Sequence, residues 1–453
     1  MPFMPVFLPT DVLFWLLIVA VVAYAAYCSR RPHLALPWRR VFQSRAAVIS
    51  AVILAGYLVV GFADSLHFRT RLAGAQTAYS PEVLSVLDLA LSGLRDKRER
   101  TYSAPLASRL YAKEMIDTGD GRQVRDFPRL RHGGKHLENE DEWLRDVFAS
   151  IGAGLFVAMF ATVFVALAVK RLQRRRPEVP WRAAGWTVVV MLALLLPVAF
   201  LARHYHVLGT DKVGQDVLYL SLKSIRISLI IGTLTTLVLL PLGIALGIMA
   251  GYFKGWVDDV IQYLYTTLNS IPGVLLIAAA VLMLQVLMDR YSEAFPTAAQ
   301  RADVRLLALC AILGLTSWTG LARLLRGEAL KLSQLEYIQA AHAFAVPDAR
   351  ILSRHILPNV AHIVIIAMVM DFSGLVLAEA VLSYVGVGVD PATTSFGTMI
   401  NAARLEMGRE PIVWWSLAAA FGFMFVLVLA ANLFADAVRD GFDPRVRIVG
   451  VPA

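Results

Sequence analysis

At 453 residues, with 58% of them hydrophobic and a mean hydropathy of +0.62, the chain is far more apolar than a soluble domain, where the apolar share is about 45–50%. It is expected to be a polytopic membrane protein. The net charge of +9 does not point to nucleic acid: the basic residues gather in short runs beside apolar segments, as at Arg30 to Arg45 and Lys170 to Arg176, and no nucleic-acid-binding motif accompanies them.

A membrane helix needs about 20 mostly apolar residues. About nine segments qualify, over residues 6–27, 46–63, 147–169, 184–202, 225–250, 261–288, 305–322, 360–385 and 412–436. The expected fold class is therefore all-α, because lipid leaves no backbone group unpaired and nothing alternates as barrel strands do. No basic residue precedes the first apolar run, and Tyr27 stands where a lipoprotein would need a small residue before Cys28, so this segment is read as an uncleaved helix. The second cysteine, Cys310, falls inside another span, and no disulfide framework is expected.

Lys and Arg set the orientation. Placing the Arg30 to Arg45 loop inside also puts Lys170 to Arg176, Lys254, Arg323 to Arg354 and Arg439 to Arg447 inside. The N-terminus is then expected outside and the C-terminus in the cytoplasm.

Residues 1–64 carry two spans, and 65–146 form a polar, extracytoplasmic segment expected to fold as a small helical domain. There Ser80-Pro81-Glu82 opens an amphipathic pattern, with Val83, Leu84, Leu87, Leu91 and Leu94 on one face. Arg122 to Glu142, charged and glycine-rich, reads as a solvated or partner-facing loop. Residues 147–183 add a third span and a basic loop. The pairs His132/His136 and His204/His206 lack convergent Cys or carboxylate ligands, so no metal site is expected.

Within residues 184–447, Gly243, Gly247 and Gly251 recur every four positions, which permits close backbone approach between membrane helices. Pro241, Asn269, Ser270 and Pro272 interrupt regular hydrogen bonding, as a kink or as a bend beside a translocation path. Ser333 and Glu336 have the spacing of a capping box, predicting a short helix from near Gln334. It is lined by Ala340, Ala341, Ala343 and Ala345 and stops before Pro347. A second short helix, from Asp348 to Leu357, is expected to end at Pro358. A slim helix of this kind suits insertion into a groove of another protein. Asp371 falls about 18 Å into the eighth span by helical rise, near the membrane midplane, so it is expected to face a partner or a cavity. Glu379 lies nearer the outer end, where a capping or gate contact is expected.

The stretch Glu336-Tyr337-Ile338-Gln339-Ala340-Ala341, followed by His355-Ile356-Leu357-Pro358-Asn359, resembles the coupling loop of bacterial ABC importer permease subunits of the dipeptide, oligopeptide and nickel type. Ala345 stands where that pattern has glycine. Also similar to the family, in order, are Leu208 to Val217 with Gln215 for the usual Arg, Ser224 to Leu229, Ala250 to Asp258, Ile271-Pro272-Gly273, Glu379 to Gly386 and Asp440 to Pro444. The resemblance covers 184–447 and implies a six-span core, with three extra spans before it. It also implies that Glu336, Ala340, Ala341, Ala345, Leu357 and Pro358 face an ATPase, and that the partners are a second homologous permease, two ATP-hydrolysing subunits using ATP and Mg, and an extracytoplasmic substrate-binding protein. No phosphate-binding loop, zinc motif or nucleophile elbow occurs, so neither catalysis nor a cofactor is expected in this chain. The alternative is a membrane-anchored sensor or enzyme using 65–146.

Overall fold

The computed structural model describes residues 3–71, 79–117, 123–137, 139–291 and 297–442. Asp443 and Pro444, the end of the last family-like stretch, and Arg122 lie outside them. The architecture is helical, and among the described residues nine helical segments are long and apolar enough to cross a membrane.

These residues form two compact units. The first draws its described residues from 1–7, 42–228 and 393–430. It holds strand β1 (Phe3–Val6), helix α3 (Arg45–Ser65), β2 (His67–Thr70), β3 (Leu84–Ser85), α4 (Val86–Ala90) and α5 (Ser92–Arg95). Strands β4 (Glu114–Asp117) and β5 (Gln123–Asp126), then α6 (Trp143–Arg175), α7 (Trp181–Leu201) and α16 (Phe396–Glu406), complete its own elements. β1, β2 and β3 make an antiparallel sheet with Phe3 opposite Thr70 and His67 opposite Ser85. The long helices pack through small residues: a methyl at Gly154 of α6 would sit 2.5 Å from Pro197 Cα of α7, and Gly56 of α3 lies against Met191. Phe156, Phe160 and Phe164 point outward from α6, as suits a lipid-facing side.

The polar segment differs from the helical domain expected of it. It contains strands, and the amphipathic pattern folds as two short helices that start at Val86 instead of near Pro81. The reason is local: Ser85 and Asp88 form a reciprocal capping box, a stronger start signal than Ser80 with its proline. Leu87 and Leu94 are buried as the pattern required.

The second unit draws its described residues from 8–41, 229–392 and 431–442. It holds α1 (Pro9–Ser29), α2 (Pro32–Val41), α9 (Gly255–Ser270), α10 (Gly273–Arg290), α11 (Ala298–Ser317), α12 (Thr319–Leu332), α13 (Glu336–Ala343), α14 (Asp348–Ile351) and α15 (Leu357–Val385). Helices α8 (Val217–Phe253) and α17 (Trp415–Phe442) contribute to both units. α1 is tied to α11 by Thr10, whose backbone N–H donates to Asp303 Oδ2 at 3.1 Å. α2 rests on the end of α17, where Trp38 meets Phe442 edge-on at 5.2 Å and Gly441 leaves room for Val41. The span expected over 261–288 is two helices, broken at Ile271-Pro272 because proline offers no N–H to the preceding turn.

Candidate coupling site

The site is built on α8 and α12. The three glycines spaced by four remove the side chains between these helices. A methyl at Gly243 would meet Leu321, one at Gly247 would lie 2.7 Å from Ala322 O, and one at Gly251 would lie 2.5 Å from Arg326 O. α12 is also tied to α9. Arg326 donates two hydrogen bonds to Asp258, both at 2.6 Å, holding that carboxyl below the usual range, and Thr319 Oγ1 donates to Asn269 Oδ1 at 3.2 Å. The loop that follows α12 therefore leaves a fixed platform.

Its first turn departs from the expected capping box. Ser333 stays helical and donates its hydroxyl to Leu330 O at 2.8 Å, closing α12, so α13 starts at Glu336 with Leu335 as an uncapped first residue. Ile338 anchors α13 by complete burial in a core with Tyr252, Leu325, Ala329, Ile351, Ile356 and Val360. Ala341 and Val346, both half-buried, pack on the same core. Glu336, Ala340 and Ala345 are exposed, as is Phe344 at 84%. Leu335, Tyr337 and Leu357 add to the apolar exposure.

Ala345 takes a φ of 53°, the left-handed conformation that glycine adopts without a Cβ penalty. It closes a Schellman turn: Ala345 N–H donates to His342 O at 2.9 Å and Val346 N–H to Ala341 O at 3.1 Å. Pro347 follows, where it cannot continue the helix. The turn thus keeps the glycine geometry without the glycine.

Pro358 does not end a helix as expected. Asp348 to Val385 is continuous, and Leu352–Ile356 widens into a π-turn just before Pro358, in the turn that its ring and missing N–H disturb. Pro358 instead occupies the first turn of α15.

Tyr252 clasps both sides of the loop. Its hydroxyl donates to Asp348 Oδ1 at 2.6 Å and lies 3.1 Å from His342 Nε2, while the two rings stack at 5.6 Å. Sequence reasoning missed this contact and the Asp258–Arg326 pair, although Tyr252 and Asp258 lie within a family-like stretch.

Residues 243–448 match the family model described as binding-protein-dependent transport system inner membrane component. The chain is 31% identical over 322 residues to the glutathione transport system permease protein of Pectobacterium atrosepticum, covering 64% of this chain and 97% of that one. It is 30% identical to the oligopeptide transport system permease protein of Mycobacterium bovis over 53% of this chain and 77% of that one. It is also 30% identical to the dipeptide transport system permease protein of Lactococcus lactis, over 53% of this chain and 64% of the relative.

The chain belongs to the binding-protein-dependent transport permeases. It is a multi-pass inner-membrane subunit, and the family model begins at the first glycine of the α8–α12 contact.

In this permease the other expected residues do not converge with α13. Asp371, in the middle of α15, is half-buried and has neither hydrogen-bond nor ion-pair partner among the described residues. Glu379 is fully buried and accepts from Ser383 Oγ at 2.7 Å; that hydroxyl accepts from Val389 N–H at 3.4 Å, so Glu379 organises the turn after α15. Among the described residues no three His, Cys, Asp or Glu groups are placed to hold a metal.

The family-like loop at 208–217 forms a second knot, in the first unit. Thr210 exchanges backbone and side-chain hydrogen bonds with Ser103, and Gly214 O accepts from Glu99 N–H at 2.9 Å. A methyl at Gly214, where φ is 74°, would lie 2.0 Å from Glu99 O. Gln215 N–H donates to Asp211 Oδ1 at 2.8 Å, so the turn uses the backbone at this position. At the centre His206, 2% exposed, has Nδ1 2.7 Å from Asp216 Oδ2 and Nε2 3.5 Å from Glu99 Oε1. Burial alone would push its pKa down, but the two carboxylates outweigh it and hold the imidazole at about 9. Burial pushes Glu99 up, but His206 and the N–H groups of Arg131, His132 and Gly133 outweigh it and hold the carboxyl at about 2. The buried core of this loop is therefore an imidazolium between two carboxylates.

Proposed function

We propose that this permease carries peptides or a related small solute inward, driven by ATP hydrolysis in two partner subunits that hold ATP and Mg, alongside a second homologous permease and an extracytoplasmic binding protein. The transport of glutathione, oligopeptides and dipeptides for which its relatives are named supports the solute class. The distribution of Lys and Arg supports an outside N-terminus and an inside C-terminus.

The observation that carries the coupling role is the two-sided character of α13. Ile338 and Ala341 fix one side to the permease, while Ala340 and Phe344 offer an unpartnered apolar side. Such a helix transmits a partner's movement because its inner side is rigidly held. Asn269, Pro272, Asp371 and Glu379 are assigned to the translocation path or its gate: the first two flank a helix break, and Asp371 is a half-buried carboxylate in the middle of α15. Glu336, Ala345, Leu357 and Pro358 shape the ATPase-facing loop.

Phe344→Ala tests the reading. As the exposed aromatic anchor of an interface it should lower ATPase co-purification about thirtyfold, the loss typical of such a residue, and abolish uptake while membrane insertion continues. Undiminished ATPase capture and uptake would reject the coupling role.

A further inference from the structure

Helices α3, α6 and α7 and the connector between α6 and α7 line an open cleft of about 490 Å³ at the end of the helices where α3 and α7 begin and α6 finishes. It lies wholly in the first unit, ahead of the matched family region, and plays no part in the coupling site. Its lining joins three kinds of group. Arg45 and Arg182 supply positive charge, with no ion-pair or hydrogen-bonding side-chain partner among the described residues. Trp181 and Trp186 supply amphipathic rings, Trp186 being 71% exposed. Gln173 adds neutral polar capacity.

The walls are stiff. The connector from α6 to α7 carries Pro177 and Pro180, and Trp181 Nε1 donates back across it to Arg176 O at 2.9 Å. α3 and α7 both start at this cleft, and neither start is capped by a side chain, so their positive ends add to the arginines. Just outside lie Arg171, Arg174, Arg175 and Arg176. Glu178 is the one acidic lining residue.

The geometry points to a binding site for an anionic glycerophospholipid, whose phosphate is held by Arg45 and Arg182 and whose glycerol region lies against Trp181 and Trp186. Arg45 and Arg182 bring two cationic side chains to one cleft, and their positive charge attracts a phosphate. Tryptophan belongs at the headgroup level of a bilayer. Basic pockets between membrane helices on the cytoplasmic side suit anionic headgroups, and a phosphate there would be drawn by about 1 kcal/mol per nearby Arg. The orientation proposed above assigns this lipid to the inner leaflet; the lining itself does not depend on it. The extra helices would then be seated by a resident lipid.

Native mass spectrometry of the full chain in detergent tests this, with phosphatidylglycerol and phosphatidylethanolamine of matched acyl chains as probes and glycerol 1-phosphate as the free headgroup. Phosphatidylglycerol is expected to be retained preferentially, and the Arg45→Gln/Arg182→Gln pair to lower its retention about thirtyfold. Arg174→Gln/Arg175→Gln removes the same charge outside the cleft lining and should lower retention less than the Arg45/Arg182 pair does. Arg45→Lys/Arg182→Lys, which keeps both charges, should retain the preference and separates lost binding from misfolding. Equal retention of the two lipids, equal loss from both glutamine pairs, or loss in the lysine pair with the fold intact would overturn the site. Displacement of the lipid by equimolar glycerol 1-phosphate would overturn its assignment to a lipid.

Discussion

The knot around His206 and the seam between α8 and α12 are both closely packed, but by opposite physics. At His206 three ionisable side chains are buried together: one imidazole lies between two carboxylates, and Glu99 also accepts three backbone hydrogen bonds. Along Gly243, Gly247 and Gly251 there is no charge to balance; side chains are absent so that two backbones can meet. The first arrangement is brittle to the loss of a partner or a proton. The second is brittle only to added volume.

The largest expected effect comes from breaking the charged knot. His206→Gln leaves Glu99 and Asp216 buried without their cation, which should destabilise the protein by about 3–5 kcal/mol. A thermal melt in detergent would register it as a lower midpoint, and an unchanged midpoint would show that the carboxylates are not held as charges. The same residue sets a pH limit. Its pKa is raised in the folded state from 6.5 to about 9, so its contribution is complete below about pH 6 and lost as pH rises through about 9. Glu99, depressed from 4.5 to about 2, contributes above about pH 5 and fails as pH falls through about 2. Melting midpoints taken between pH 7 and 10 should fall for the wild type and stay flatter for His206→Gln.

The seam should answer differently. A methyl at Gly247 meets Ala322 O and Cα, both backbone atoms, so Gly247→Ala cannot be relieved by a side-chain rotation. Overpacking of this kind costs about 1–3 kcal/mol. The loss should be the same at pH 7 and pH 9; a pH-dependent loss would mean that the two regions are not separable in this way.

Much of this was legible in the sequence because its signals are local. Apolar length gave nine spans, and glycine spacing gave the α8–α12 seam. The short helix α13 was legible too, but its edges were not. Ser333 had two helices to serve and closed α12 instead of opening α13, and Pro358 was absorbed by the wide turn at Leu352–Ile356. The His206 knot was out of reach because its members are brought together from more than 100 residues apart, and Glu99 sits in a charged run that reads as solvated surface. The signal that existed was His206 beside the loop containing Asp216, which the sequence reading weighs only against a metal site and sets aside.

The smallest expected effect lies outside both regions and tests backbone geometry alone, at two helix ends. α13 and α15 finish with the same pair of hydrogen bonds: Ala345 and Val346 donate to His342 and Ala341, Gly386 and Val387 to Ser383 and Leu382. One turn uses alanine at φ 53° and the other glycine at φ 88°. The left-handed conformation costs an alanine about 1–2 kcal/mol, while glycine loses about 0.4–1 kcal/mol more entropy on folding. Ala345→Gly should therefore gain about 0.5–1 kcal/mol locally, and Gly386→Ala, whose added methyl would meet nothing within 4 Å, should lose a similar amount. Amide hydrogen exchange reads each turn at its own longer bond: at Val346 it should slow about two- to fivefold in the first variant, and at Val387 it should quicken by the same factor in the second. Changes of the same sign would show that something other than the left-handed backbone fixes these helix ends.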